Sequence, residues 1–515
     1  RCIFFLLKQM SEMTVRDFYS GKNIFVTGST GFLGICLLEK LLRCIPDIGD
    51  IYLLLRPKKG KEISERLEEI KKNKIFESLL ENKPEDEVFK KLKPIAGDVG
   101  SPDLGISTSD RELLQENVNV IFHSAATLDF AETLRSTVDV NLLGTRRCLH
   151  LARDCRNLKV FVHVSSAYVN SWRLQCEETI YPLSQDPEEI IKVVSECSDE
   201  ELENKTPELL GDHPNTYTIT KHMAEHEVQK LQENFPCAIV RPSMIIGAWK
   251  EPVPGWTISK NGPQGFIMGA AKGVVRRLPV GKDLVYDYIP VDVVVNELIV
   301  AGFHAGSTKA KEVEIYHCTS STRQPFKWAS VEDKINTYLH RYPLKSAVWY
   351  PHLKFLPSIT WFRISALFVH FLPAIILDTV TRVFGGRPIL MKLHRNVNTS
   401  LTRLEKFIFT EWTFSSKRTD DLHMWLCPSD QKDFSLDIKD LIWADYFVDL
   451  TKGTRVYLNK EGMKNLEAAR GKDTLLLVLH LLLQTGILFL IWYLTSCMTG
   501  ASMVKSSMVV PVAYA

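Results

Sequence analysis

Apolar positions along this chain follow two alternating periods. Short β-rich runs are succeeded by stretches in which apolar residues return every three or four positions. Asn23–Thr27 (NIFVT) reads as a strand, ICLLEKLLRCI (35–45) as a helix and Ile51–Leu55 (IYLLL) as a second buried strand. Strand, helix, strand in that order is a βαβ unit, which needs a right-handed crossover and a parallel sheet. The rhythm continues with strands at 92–95 (ending near Asp98), 118–123, 160–164 and 238–241, and helices at 138–151 and 216–231. This alternation predicts a doubly wound α/β domain. Residues 176–213 interrupt it as an acidic, irregular insertion. From Pro242 onward Gly, Pro and Trp become frequent, as in a substrate-side loop region. Residues 316–340 return to strand and helix, and 351–465 are helix-like and rich in Trp and Phe.

The ends of the chain break the pattern. Residues 2–7 (CIFFLL) are apolar but too short for a signal-peptide core, and residues 1–12 are set aside from the fold. Residues 474–498 (TLLLVLHLLLQTGILFLIWYLTSCM) carry no Asp, Glu, Lys or Arg. At about 1.5 Å per residue they reach roughly 37 Å, enough to cross a hydrocarbon core of about 30 Å. Trp492 and Tyr493 fall late in the run, where an interfacial aromatic belt belongs. A second apolar stretch, 361–383, is interrupted by Arg363, Pro373, Asp378 and Arg382. It reads as one or two amphipathic helices that dock on a membrane surface, wall an acyl pocket or pack in a core.

Composition narrows the class without deciding it. Of 515 residues 45% are hydrophobic and 24% charged, which excludes a disordered chain, a fibre and a polytopic membrane protein. The 63 basic and 61 acidic residues nearly cancel, so nothing points to a nucleic-acid partner. Eleven scattered cysteines with no CxxC pair suit a reduced, cytosol-facing chain with no metal site.

Chemistry enters at GSTGFLG. Gly28, Gly31 and Gly34 stand between the first strand and the first helix. Glycines there allow a tight turn and close approach of a pyrophosphate to the helix N-terminus, so a dinucleotide site is expected. The second strand ends Leu55-Arg56-Pro57-Lys58-Lys59, without the acidic residue that holds a free ribose 2′-hydroxyl. A guanidinium at that place suits a 2′-phosphate, which predicts NADPH over NADH.

Tyr217 and Lys221 form Y-x-x-x-K and share one helix face, one turn apart. A cation beside the phenol is expected to lower its pKa and favour proton transfer. The strand at 160–164 runs into Ser165-Ser166-Ala167-Tyr168, placing a hydroxyl where open α/β sheets bind ligands. Ser166 is the expected active hydroxyl and Ser165 the alternative.

These motifs together resemble an extended short-chain dehydrogenase/reductase, with a Rossmann-type sheet, and within that group the fatty acyl-CoA reductases of animals, insects included. The residues that carry the resemblance are TGSTGFLG (27–34), LLRPK (54–58), FHSAAT (122–127), VNLLGT (140–145), HVSSAYVN (163–170) and YTITK (217–221). More discriminating are VRPSMIIGAWKEPVPGW (240–256), NGP (261–263) and RVFGGRP (382–388). The likeness spans nearly the whole chain from about residue 14. Many members carry Thr where this chain has Ser166; both offer a hydroxyl.

The resemblance implies four regions: a tail (1–22), a cofactor-binding catalytic domain (23–350), a helical domain (351–465), and a membrane anchor with its tail (466–515, span about 474–498). It implies a cofactor cradle made of Thr27, Gly28, Thr30, Gly31, Phe32, Leu33, Gly34, Arg56, Lys58, Asp98, Ser124, Ala125, Asn141, Lys221 and Pro242. It implies reduction of a long-chain acyl-CoA to a primary alcohol through the aldehyde, with two NADPH and with Tyr217, Lys221 and Ser166 as catalytic residues. No cysteine stands beside a suitable base, so no covalent thioester on the protein is expected. A bilayer is the expected partner of the C-terminal helix, with the catalytic domain in the cytosol and the endoplasmic reticulum favoured over the peroxisome. A membrane-bound hydroxysteroid dehydrogenase and a silent cofactor-binding scaffold share the glycine turn. The PVPGW…NGP stretch (252–263) and the extra C-terminal helical region favour the acyl-CoA reading over the first. The presence of both Tyr217 and Lys221 argues against the second.

Overall fold

The computed structural model describes residues 13–57, 60 and 62–499. Residues 1–12 and Lys58 lie outside them. Two compact units are present, neither contiguous in sequence. One comprises residues up to 262, 283–330 and 409–450; the other comprises 263–282, 331–408 and 451 onward. The division expected near Pro351 is linear, whereas the chain passes from one unit to the other several times.

The first unit is built on seven strands: β1 (Asn23–Thr27), β2 (Ile51–Leu55), β3 (Leu92–Ala96), β4 (Val118–His123), β5 (Val160–Val164), β6 (Cys237–Pro242) and β7 (Glu314–Cys318). All run parallel, in the order 3-2-1-4-5-6-7. β2, β5 and β6 are buried along their whole length, as parallel strands covered on both faces must be. Helices α1 (Phe32–Cys44) and α4 (Val291–Thr308) pack together, and so do α2 (Gly144–Asp154) and α3 (Thr216–Lys230). The α2–α3 layer sets Leu149, Ala152 and Val228 against Phe25, Ile121, Phe161 and Ile239 of the sheet. The strand order reverses between β1 and β4, which opens a crevice at the C-terminal edge of the sheet.

The insertion expected to be irregular is largely helical. Pro187–Glu196 starts at an Asp186 cap and Asp199–Leu210 at a Ser198 capping box. Five of its acidic residues, Glu188, Glu189, Asp199, Glu200 and Glu201, occupy first turns, where the helix dipole favours negative charge. Ile190, Val194 and Leu202 close a small core with Leu134, Leu142, Ile219 and Met223. Residues 409–450 return to the first unit: Thr413–Phe414 pairs with Gln175–Cys176, and the Trp412 indole donates to the Ser171 carbonyl (3.2 Å).

The second unit is mostly helical. α5 (Ile359–Val383) contains a π turn at Leu367–Phe371, and α6 (Leu390–Ile408) and α7 (Leu466–Thr499) follow. α5 and α7 are each long and apolar enough to cross a membrane. The sequence singles out α7 as the span and reads 361–383 as amphipathic. The first turns of α7 belong to the folded unit, because Ala469, Leu476 and His480 are buried there. Beyond His480, Leu481, Leu482, Leu483, Phe489, Leu490 and Leu494 are exposed.

Candidate active site

The turn after β1 is shaped by two glycines. Gly28 has φ +75°, and a Cβ there would stand 2.8 Å from the Ala125 nitrogen and the Ser124 hydroxyl. A Cβ on Gly34 would stand 2.3 Å from the Gly28 carbonyl oxygen, so α1 can start this close to the turn only with glycine. Gly31 is the N-cap of α1 and brings no side-chain cap. The first N–H groups of α1 therefore point outward, ready for an anion. Thr30 and Gly31 are exposed, Phe32 and Leu33 half-buried, and the Phe32 ring stacks on Trp256 (5.6 Å). Beside the turn the Ser29 hydroxyl is buried with no protein partner. This cradle fits the pyrophosphate of a dinucleotide.

Several residues expected around a cofactor tie the crevice together. The Ser124 hydroxyl donates to the Thr27 carbonyl (2.7 Å), and the Thr27 hydroxyl meets His123 Nδ1 (2.8 Å) and the Ala125 N–H (3.2 Å). Asn141, on a π turn leading into α2, accepts from the Thr127 N–H (3.0 Å) and donates to Thr220 Oγ1 (3.2 Å). It thereby fastens the loop after β4 to α3. Pro242 closes β6 and is buried. At the end of β2, Arg56 is 73% exposed and lies 3.9 Å from Asp98, whose other oxygen accepts from the Gly100 N–H. Arg56 is thus a largely solvated cation at the edge of the crevice.

Ser166, Tyr217 and Lys221 come together past the end of β5. Asn215 caps α3 through the Thr218 N–H (2.9 Å), which sets the helix start one residue before Tyr217. The Ser166 hydroxyl hydrogen-bonds the Tyr217 phenol. Ser165 is otherwise engaged: its hydroxyl donates to Glu225 (2.5 Å). Lys221 Nζ donates to the Val164 carbonyl (2.7 Å). Burial pushes the Tyr217 phenol up to about 12, with the Ser166 bond acting against that rise. Burial also pulls the Lys221 ammonium down to about 8, against the attraction of Glu225. The expectation that Lys221 lowers the phenol is therefore not met: desolvation dominates, and the ammonium is held on the backbone of β5.

Sequence reasoning missed the layer beneath. Glu225 lies one turn beyond Lys221 and forms a fully buried pair with Arg241 of β6 (2.6 and 2.8 Å). Burial alone would raise the Glu225 carboxyl, yet Arg241 and Ser165 hold it below its usual range. Tyr217, Lys221 and Glu225 stand at i, i+4 and i+8, so the signal was a stripe extended by one turn. His123 and His163 stack on each other (5.4 Å) in the same layer. Burial, and then the charge of Lys221, pushes His123 down to about 3 and His163 well below its usual value, which keeps both rings neutral.

Residues 26–298 match a family of NAD-binding domains described as Male sterility protein, and residues 369–461 match the Sterile family, described likewise. CG8306 of Drosophila melanogaster, provisionally named a fatty acyl-CoA reductase, is 53% identical over 511 residues, covering 98% of this chain and 99% of its own. Fatty acyl-CoA reductase 1 of Rattus norvegicus is 36% identical over 480 residues, 93% of each chain. Among solved structures, the terminal reductase domain of the myxalamid pathway aligns with a TM-score of 0.57 at 19% identity, covering 89% of this chain and 98% of that one. A nonribosomal peptide synthetase reductase domain from Mycobacterium tuberculosis aligns with a TM-score of 0.56 at 18% identity, covering 88% and 96%. These two share the fold.

Proposed function

The chain belongs to the fatty acyl-CoA reductases, and from that premise we propose that it reduces a long-chain fatty acyl-CoA to the primary alcohol, through the aldehyde, with two NADPH. The observation that carries this reading is the convergence of a phosphate turn and a buried Ser166–Tyr217–Lys221 group at one edge of the sheet. Gly28, Gly31 and Gly34 would hold the pyrophosphate, Lys221 would bond the nicotinamide ribose, and Arg56 would take the 2′-phosphate. Bound there, NADPH supplies one hydride to the thioester and a second, from a fresh molecule, to the aldehyde.

The protein's own work is done on the oxygen. As the thioester carbonyl accepts hydride, its π electrons move to oxygen, and the Ser166 and Tyr217 hydroxyls stabilise the oxyanion in a water-poor site. The carbonyl re-forms and expels CoA as thiolate, which takes a proton from solvent. After the second hydride Tyr217 gives its proton to the alkoxide, and the phenolate is reprotonated from solvent. A phenol held near 12 suits this direction. It stays protonated at neutral pH until a stronger base forms beside it. Lys221 keeps positive charge beside the passing electrons.

α7 serves as a bilayer anchor with the first unit on the cytosolic side. The ten described cysteines, all free, support a reducing compartment. Gas chromatography of lipids from yeast expressing the chain tests the function, with Tyr217→Phe as control. Long-chain primary alcohol from the wild type alone is expected. Neither alcohol nor aldehyde, from well-expressed protein, would overturn the reading.

A further inference from the structure

α5 is inside out for a soluble helix. Its buried stripe is Phe362, Ala366, His370, Ala374 and Asp378, spaced by four and mostly small or polar. Its exposed stripe is Trp361, Ile364, Phe368, Leu372, Ile376 and Val383, with Phe368 67% exposed and Phe384, just past the end, 85% exposed. A continuous apolar face of this length on the outside of a folded unit marks a surface that meets another apolar phase. α6 turns back against α5. The Asp378 carboxylate accepts from the N–H groups of Ile389, Leu390 and Met391 (3.1, 3.1 and 2.8 Å), which staples the start of α6 to α5. His370 and His394 stack across the pair at 4.8 Å. The hairpin from 359 to 408 carries seven Lys and Arg against two acidic residues, and all seven are exposed.

We propose that the α5–α6 hairpin lies in the headgroup region of a bilayer rich in anionic lipid, and that α5 does not cross it. Three observations carry this. The first is topological. Residues 409–450 follow the hairpin and belong to the same compact unit as residues 13–262, with Phe414 paired to Cys176 and the Arg418 N–H on Glu178 (2.7 Å). A single crossing between 356 and 409 would put these partners on opposite sides of the membrane. α6, with Lys392, Arg395, Arg403 and Lys406, is no return span. The second is charge: apolar aromatics on one face and exposed cations around it are what an interfacial helix needs on an anionic surface. The third is continuity with the anchor. The Arg276 N–H donates to His370 at the middle of α5 (3.1 Å), and the Arg276 guanidinium approaches His480 (3.4 Å), where α7 leaves the unit. The place where α7 leaves the unit is thus tied through Arg276 to the middle of α5, so hairpin and anchor belong to one packed unit.

The proposal rests on α7 as anchor, and the test separates the two. Full-length chain lacking Cys2, Cys197, Cys427 and Cys497, with one added cysteine at Phe368→Cys or Arg387→Cys, is the material; the seven native cysteines that remain are all buried. Flotation in high salt with phosphatidylcholine vesicles containing phosphatidylserine reads the anchor alone, because salt screens the hairpin's cations. An NBD label at Phe368→Cys reads the hairpin: its emission is expected to shift to the blue, and shallow spin-labelled lipid is expected to quench it more than deep. Replacing Arg382, Arg387 and Lys392 together by Glu is expected to abolish the shift while flotation persists. In sealed microsomes Arg387→Cys is expected to react with an impermeant maleimide from the cytosolic side. A label at Phe368→Cys that stays in water while the chain floats would overturn the proposal, and would leave the face to a protein partner. Protection of Arg387→Cys until detergent is added would also overturn it, in favour of a crossing. Failure to float would refute the anchor itself.

Discussion

Tyr217 and Lys221 sit one helical turn apart on α3, and burial drives their proton affinities in opposite senses, the phenol up and the ammonium down. Removing the phenol hydroxyl takes away the proton donor and one oxyanion partner while leaving the dinucleotide cradle untouched. Tyr217→Phe is therefore expected to lower kcat by about 10²–10⁴-fold. NADPH affinity, read by fluorescence titration, is expected to stay unchanged. Lys221 carries its charge below about pH 8 and loses it as pH rises through that value. Turnover should fall in the same range. Stability should move the other way, because between about 8 and 10.4 the unfolded chain binds the proton that the folded chain has released. The difference between wild type and Lys221→Met isolates both effects. A difference in stability that falls with pH across that window would contradict the buried ammonium. At the rim, Arg56→Asp exchanges a cation for an anion where a 2′-phosphate is expected. NADPH preference over NADH is expected to drop by at least about tenfold, the worth of one charge-assisted contact of about 1.4 kcal/mol.

The turn from β1 to α1 works because the two elements meet without side chains between them. Gly34→Ala would drive a methyl into the Gly28 carbonyl, so either the turn opens or α1 shifts. Dinucleotide binding is expected to weaken by at least about tenfold, with a lower Tm, and Ser29→Ala beside it serves as a mild control. Further back, Glu225 and Arg241 tie α3 to β6 with both side chains fully buried. Glu225→Gln leaves Arg241 uncompensated and is expected to cost about 3–5 kcal/mol in urea unfolding. The glycine turn and the Tyr–Lys spacing were legible in the sequence, because each is a local rule about one turn of chain. Ser166 over Ser165 was a choice between neighbours; in the structure the Ser165 hydroxyl is spent on Glu225, a residue sixty positions away. The Glu225–Arg241 pair and the Asn141–Thr220 bond join elements distant in sequence, and no period or motif announces them. The helical insertion at 187–210 was misread for a different reason: acidic first turns look like solvated loop until their caps are recognised.

Across the whole molecule the two proposed membrane contacts are of different kinds. α7 has 34 residues, about 51 Å at 1.5 Å per residue, more than a hydrocarbon core of about 30 Å requires. Its opening turns are held by the second unit through Ala469, Leu476 and the Trp349–His480 hydrogen bond (3.3 Å). A chain ending at Leu481 keeps those contacts and loses only the exposed apolar part. Such a chain should fold, bind NADPH and reduce a short, water-soluble acyl-CoA. Its hold on vesicles should change in character. The full chain, fixed by burial of α7, should stay with vesicles in high salt. The shortened chain has only the cationic hairpin, whose attraction is about 1 kcal/mol per Lys or Arg near an anionic surface and is screened by salt. It is expected to float with phosphatidylserine vesicles at low salt, to be released at high salt, and to ignore pure phosphatidylcholine. Its rate on long-chain acyl-CoA embedded in vesicles should fall with salt in parallel, while its rate on the soluble substrate stays flat. Salt-independent flotation of the shortened chain would mean that α5 enters the hydrocarbon by itself, and the two contacts would then be of one kind.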